Sequence, residues 1–550
     1  MKKLLAIAAL LINSVVFAQP SCQWAYIPVG VVQTYNTIYN STTDHSGNLI
    51  VTGILLGNAD MDPGADPADT SFSTATYNYY ISKTDSSGNL IWIHYFQNNS
   101  QIGLFEFVGL KVNSANEIVV VGNFTGLIDF DFSDAGVDTL RSHFPTYTDY
   151  FVAKYDPSGS YQWAFSIGDP TTSDIVAQAM TILPNDNIVI AANPNGTIDV
   201  DPGIAVHNNI GGNGNVICYD NNGNYVWNNN ISNTTSYCIL NNSLESDIGG
   251  NVFMATVGYY KLTLTAFDNA GSRSSEMTIG DFPAGARVNP QSLLTDKSTG
   301  EIYVAGTYGG MVDFDPGSNV VFRTSSSAMF QDGFIAKYDR FLNFIWVQTY
   351  AGECSFGNFS LDFDGTDIAA VGNLAGTIDF GNSTILSASS SFSPFYIKLN
   401  STGITQSGFT IDGFGRFNSI HSFPNNSFAT TGLISDNTDM DPTSGTLILN
   451  ATASNHFCAV YQSPVQTSVV ENAIDIIVAY PNPAMNFVEL KISSRLVGET
   501  YTIYDITSKA VLSGELVTEN TTINLENIAS GIYTLKTGSN QEQTLRIVKE

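Results

Sequence analysis

One phrase recurs seven times along this chain: an Asp- or Asn-rich turn, usually closed by glycine, then alternating apolar and small residues. It appears as TDHSGNLIVTG ending at Gly53, NSANEIVVVG ending at Gly122, LPNDNIVIAA ending at Ala192 and SDIGGNVFMAT ending at Thr256. It returns as DKSTGEIYVAG ending at Gly306, DFDGTDIAAVG ending at Gly372 and FPNNSFATTG ending at Gly432. Each unit continues with a second phrase, YYISKTDSSGNLIW, YFVAKYDPSGSYQW, NVICYDNNGNYVW and FIAKYDRFLNFIW in the first, second, third and fifth units, and weaker forms elsewhere. Apolar alternation on both sides of an Asp-x-x-Gly turn describes a β-hairpin. A period of roughly 60 residues with room for four strands means that each unit is a supersecondary piece that buries its faces against its neighbours.

Tryptophan placement decides how such units close. Trp92, Trp163 and Trp227 follow the turn glycines Gly88, Gly159 and Gly223 at a constant offset, and Trp346 keeps that place in a turn without glycine. Trp24 sits in SCQWAYIPVG, a copy of SYQWAFSIG around Trp163, yet it precedes the first unit, while the seventh unit stops at Gln462 without its last strand. A strand from about residues 22–30 therefore completes the last unit, and a closed ring leaves no free sheet edge. The expected fold is all-β: a seven-bladed β-propeller over 19–462. The repeat phrases resemble those of secreted bacterial seven-bladed propeller proteins, a resemblance that implies fold and secretion but no fixed activity. The fourth unit is short and lacks both the tryptophan and the acidic loop.

That acidic loop lies between the two phrases: NADMDPG (Asp60, Asp62), LIDFDFS (Asp129, Asp131), TIDVDPG (Asp199, Asp201), MVDFDPG (Asp313, Asp315) and NTDMDPT (Asp439, Asp441), with only Asp379 in the sixth unit. Two readings stand side by side. Asp-Pro-Gly is good turn chemistry, in which an Asp carboxylate bonds nearby backbone N–H groups. Carboxylate pairs on an extended chain also suit Ca²⁺ in an extracellular module, although no EF-hand spacing is present.

Composition narrows the partners. Net charge is −29, from 21 basic and 50 acidic residues, and no basic run occurs, so nucleic acid is excluded as an expected partner. Only 13% of residues are charged, which disfavours long exposed helices. The five cysteines, Cys22, Cys218, Cys238, Cys354 and Cys458, form no C-x-x-C pair. Residues 1–18, MKKLLAIAALLINSVVFA, carry a basic start, an apolar stretch and a small residue at Ala18, the pattern of a cleavable secretory signal. No other apolar run is long enough to span a bilayer.

After a polar linker at 463–475 the repeat stops. Residues 476–550 read as short alternating strands between Gly, Asn and Ser turns, the pattern of a small Ig-like β-sandwich. Tyr480-Pro481-Asn482-Pro483, Ile503-Tyr504-Asp505, Ser530-Gly531-Ile532-Tyr533 and the basic end at Arg546 and Lys549 resemble the type A C-terminal sorting domain of the type IX secretion system. Ser508-Lys509 stands where that family usually has Gly-Lys. The resemblance implies recognition by the outer-membrane secretion machinery, then cleavage and release or attachment to surface polysaccharide.

No G-x-S-x-G, H-E-x-x-H or P-loop occurs, and the six histidines share no recurring place with an acid and a nucleophile. The abundant carboxylates are periodic, whereas a catalytic site breaks symmetry. The expected role is a secreted or cell-surface binding or adhesive module for a glycan or protein. The alternative is a glycan- or peptide-acting hydrolase, which requires a non-periodic cluster at a channel mouth.

Overall fold

The computed structural model describes residues 19–28, 35–56, 61, 77–96, 103–133, 136–144, 146–169, 174–194, 198–208, 214–231, 238–258, 260–280, 286–317, 319–326, 331–351, 357–364, 366–423, 426–435, 437–451, 455–463, 477–492, 496–537 and 543–550. Residues 1–18, where a secretory signal is expected, the linker beyond Ser463, and Asp60 with Asp62 lie outside the described residues. The chain falls into two compact units, Met1–Pro464 and Val465–Glu550.

In the first unit the described strands form seven four-stranded antiparallel sheets. Their inner strands are Tyr35–Thr43, Phe105–Val112, Ile175–Ile182, Cys238–Ser246, Arg287–Thr295, Gly357–Asp364 and Gly415–Ser422. Each touches the next, and the last touches the first, so the blades close a ring around a central channel. The fourth blade is complete despite its short sequence: its second and third strands, Val252–Gly258 and Lys261–Phe267, join by a tight turn with Tyr260 at φ 65 in place of an acidic loop.

Burial explains the pattern of residues along each blade. Ile118–Phe124 and Asp149–Tyr155, second and third strands, are buried at every position, and their sequences are near-continuous apolar runs. Strands covered on both faces read this way. The outer strand Tyr161–Ile167 is only partly covered and mixes exposed with half-buried positions. The apolar side chains gather into seven clusters, one at each junction between neighbouring blades: Phe96, Phe105 and Phe151 join blades one and two, and Leu49, Tyr80, Cys458 and Val460 join one and seven. Each fully buried aromatic or aliphatic side chain contributes about 1.5–3 kcal/mol.

The strand Ser21–Tyr26 supplies the outer edge of the last blade. It pairs antiparallel with Asn455–Gln462, with Ser21 opposite Gln462, Cys22 opposite Tyr461 and Tyr26 opposite Cys458. Trp24 also reaches the first blade, where its indole Nε1 donates to the Ser86 carbonyl at 2.9 Å.

The same contact recurs around the ring. Each outer-strand tryptophan lies over the turn glycine of the next blade: Trp24 on Gly88, Trp92 on Gly159, Trp163 on Gly223, Trp227 on Gly271 and Trp346 on Gly403. A Cβ added at Gly271 would stand 2.3 Å from the Trp227 ring, and Gly271 has φ +80, so both space and backbone demand glycine there. Two blades lack the tryptophan. In the fourth, Ser275 stands opposite Ala266 at the equivalent register, and the facing turn of the fifth blade carries Leu342 at φ 69, its side chain buried in the junction. In the sixth, the facing edge is the gap between Gln462 and Ser21, which has no turn. The tryptophan is thus absent where no turn glycine faces it.

The second unit is a sandwich of two sheets. One holds Ile477–Tyr480, Phe487–Ile492 and Asn520–Asn524, and the other Ala510–Glu515, Thr500–Tyr504, Gly531–Thr537 and Gln543–Lys549. Val488, Leu490, Ile503, Ile523, Leu535 and Ile547 form the core between them. Asn482 of the Tyr-Pro-Asn-Pro segment clamps the last strand: its amide donates to the Arg546 carbonyl at 2.7 Å and its Oδ1 accepts from the Val548 N–H at 2.8 Å. Ser508 has φ 63, the left-handed conformation for which glycine is the usual residue.

The tryptophan–glycine fit is testable by exchange. Gly271→Leu alone should destabilise the protein by about 3 kcal/mol or more, from ring overlap and left-handed strain. Adding Trp227→Ser recreates the Ser275–Leu342 arrangement and should recover part of that loss. Strict additivity of the two changes in denaturant unfolding would contradict the fit.

Candidate functional site

The inner strands enclose a cavity of about 970 Å³. Its wall is rich in amides and hydroxyls, including Asn36, Asn40, Asn289, Gln291, Asn418 and Ser360, with Tyr39 and Phe359 among them. A bulge in the inner strands, such as Ile38/Asn40, Pro290/Ser292 and Phe417/Ser419, re-aims side chains at mid-wall.

Most of the charge enters this wall at one level. Lys111, Glu245, Asp362 and His421 each stand two residues before the turn-opening positions Asn113, Asp247, Asp364 and Phe423, near the end of their inner strands. The other blades place Thr42, Thr181 and Leu294 there. The frame is sevenfold, but its chemistry is not. Lys111 of the second blade meets Glu245 of the fourth at 3.0 Å, and Lys297 reaches the other Glu245 oxygen at 2.6 Å. This bridge skips a blade and spans part of the channel at the end where the turns lie, its floor. Burial would raise the Glu245 carboxyl, but the two lysines outweigh it and hold it at about 2. Asp362 makes no direct ion pair among the described residues, and the Lys111 charge lowers it less than burial raises it. Burial pushes it up to about 6, although the Ser422 and Phe363 N–H groups donate to it at 2.6 and 2.8 Å. Burial and the Lys111 charge push His421 down to about 3.

Blades one and seven bring together a group that the sequence separates by 380 residues: Ser41 Oγ lies 2.9 Å from His421 Nε2 and 2.7 Å from Ser419 Oγ. Reading along the chain missed this cluster. The only local signal is that Lys111, Glu245, Asp362 and His421 interrupt apolar strands at the same offset from successive turns. At the opposite end of the channel, where the inner strands begin, stand Arg416 and His456, two strands apart in one register with Leu433 between them. Asn36 fixes the His456 backbone, its Oδ1 accepting from the His456 N–H at 3.0 Å and its amide donating to the His456 carbonyl at 3.1 Å.

The acidic pairs follow the second strand of their blades, away from the channel floor. Asp129, Asp313 and Asp439 each end a short strand that pairs back as a two-stranded hairpin. Their geometry repeats. Oδ1 of the first Asp accepts from the N–H of the second Asp at 3.1 Å in all four described pairs. The same oxygen accepts from the far side of the hairpin, from Asp138, His207, Val321 and Leu447 at 2.8–3.0 Å. The second Asp accepts from the N–H two residues on: Ser133, Gly203, Gly317 and Thr443 after Asp131, Asp201, Asp315 and Asp441. Among the described residues no group of three or more His, Cys, Asp or Glu side chains is placed to hold a metal ion.

The Asp362 environment sets a pH dependence whose sign is opposite to that of the turn carboxylates. Its folded value, about 6, exceeds the ordinary 3.8, so the folded state binds more protons than the unfolded state between these values. This contribution to stability is present at low pH and is lost as pH rises from about 4 to 6. Asp85, Asp156 and Asp220 are held low by side-chain and backbone donors that outweigh burial, and their contribution disappears only as pH falls below about 4. Asp362→Asn should therefore flatten the stability profile between about pH 4 and 6, read by urea unfolding. Parallel wild-type and variant profiles would refute the assignment.

Residues 478–550 match the secretion system C-terminal sorting domain. A WD repeat-containing protein of Acanthamoeba polyphaga mimivirus is 25% identical over 169 residues, which are 27% of this chain and 12% of that protein. The chain thus spans about an eighth of that relative's length. Among solved structures, PorZ of the type IX secretion system of Porphyromonas gingivalis is 12% identical with a TM-score of 0.21, covering 94% of this chain and 82% of that one. A Dyadobacter fermentans protein of unknown function is 9% identical with a TM-score of 0.35, covering 66% and 95%. Drosophila Plexin A is 7% identical with a TM-score of 0.37, covering 81% and 88%. The match over 478–550 identifies the C-terminal unit as a type IX sorting domain, and the protein as one that is secreted or displayed at the cell surface.

Proposed function

We propose that the propeller is the exported cargo of this sorting domain and acts as a binding module, with a saccharide seated in the central cavity. The observation that carries this reading is the cavity wall. Amides and hydroxyls line it, and Asn40 Nδ2 is buried there without a partner. A buried donor left unpaired is costly, and a hydroxyl-rich ligand satisfies it. Tyr39, exposed on the cavity wall, offers an apolar face for a sugar ring. Calorimetric titration of the secreted chain with a panel of mono- and oligosaccharides should show saturable binding that Asn40→Ala weakens about tenfold. Absence of binding across the panel would overturn the reading.

The Ser41–His421 pair favours a second reading, a hydrolase acting within the same channel. It requires turnover of an ester or glycoside that Ser41→Ala abolishes, whereas the binding module gives none.

For the acidic pairs we propose a structural role as hairpin staples, since one carboxylate oxygen in each described pair already joins both sides of its hairpin. Calcium at these loops is the competing role. Melting the protein with calcium and then with a chelator separates the two. Superimposed curves fit staples, and a rise with calcium that Asp313→Asn with Asp315→Asn removes would establish the ion.

A further inference from the structure

We propose that the end of the central cavity opposite the Lys111–Glu245 floor is an anion subsite, in which Arg416 receives the carboxylate of an acidic sugar. The inference rests on the saccharide reading of the cavity and adds to it the charge of the ligand.

Three observations converge on Arg416. Its side chain lines the cavity, its Nε is buried without an acceptor, and it makes no ion pair among the described residues. His456 lines the cavity beside it, is 7% exposed, and has its Nδ1 buried without a partner. The carboxylates of the cavity wall, Glu245 and Asp362, belong to the floor at the other end of the strands, where two lysines neutralise the first and burial raises the second. Glu106 takes the register place of Arg416 in the second blade, but it is exposed and does not line the cavity. Among the described residues, a guanidinium without an ion-pair partner is therefore placed at the mouth of a polar cavity, in a chain of net charge −29.

That combination selects an anion by chemistry. Guanidinium and carboxylate match as parallel N–H donors and oxygen acceptors, and such charge-assisted pairs are about twice as strong as neutral hydrogen bonds. The orphaned His456 Nδ1 offers a second donor in the tautomer that carries its proton there. Burial, together with the Arg416 charge, holds His456 near 4, so the ring is neutral at neutral pH and does not repel its neighbour. An anion seated on both would offset the Arg416 field and raise the His456 value. Deeper in the cavity Asn40 and Asn418 meet hydroxyls, and this distinguishes an acidic sugar from a bare carboxylate.

The test uses D-glucuronate, D-glucose and acetate as separate titrants of the full secreted chain. Glucuronate should bind about tenfold tighter than glucose, and more tightly than acetate. The preference should shrink with added salt. Arg416→Gln should reduce glucuronate to the glucose level at an unchanged melting temperature, and Arg416→Lys should fall between. Should Arg416→Gln not fold, the His456 imidazole titration in wild-type protein still decides: its pKa rises with glucuronate and not with glucose. Glucose binding as tightly as glucuronate overturns the anion subsite and leaves the saccharide site standing. Acetate matching glucuronate overturns the acidic-sugar assignment, and no sugar binding of any kind overturns both.

Discussion

A single blade of this ring cannot hide its own apolar surface. The second and third strands are covered on both faces, and the side chains that cover them belong to the adjacent blades, so each of the seven junction clusters draws on two blades. Stability therefore depends on every blade having two neighbours. The Ser21–Tyr26 strand meets that requirement for the last blade, and through Trp24 it fastens the last blade to the first. The remaining features of the propeller are refinements of this circular packing.

The tryptophan–glycine contact shows how local the refinement is. An indole needs a flat, unobstructed turn to lie on, and the left-handed turn residue meets that need only when it lacks a Cβ. Where the fourth blade carries Ser275, the facing turn carries Leu342, whose side chain enters the same junction. The bulk thus shifts from the outer strand to the facing turn, and the junction stays filled, as expected of a close-packed interior.

The fold separates support from chemistry by symmetry. The acidic pairs and the Asp-x-x-Gly turns recur from blade to blade because they hold hairpins, and in the described ones the carboxylates are occupied by backbone N–H groups. The channel level that holds Lys111, Glu245, Asp362 and His421 breaks the repeat while keeping its geometry. Divergence at a fixed frame position gives a symmetric scaffold an asymmetric interior, which a single asymmetric ligand requires.

Much of this was legible along the chain. Period, turn residues and the out-of-place Trp24 are local signals, and they specify repeat number, hairpins and closure. The Tyr-Pro-Asn-Pro segment and the residues that resemble the sorting domain are likewise contiguous, so the address could be read without a structure. The fourth blade was harder to read, because a tight turn replaced the loop by which the others announce themselves. The Ser41–His421 contact, the bridge from Lys111 to Glu245 and the isolation of Arg416 were not legible. Each joins residues of different blades, and Coulomb and burial effects depend on distance across the channel, not on distance along the chain. The sequence by itself determined the strands, their order and the C-terminal sorting domain, because these follow from periodicity, local turn chemistry and contiguous motifs. Only the closed ring decided which polar side chains share one cavity, because seven inner strands face a common axis only after the last blade has closed on the first.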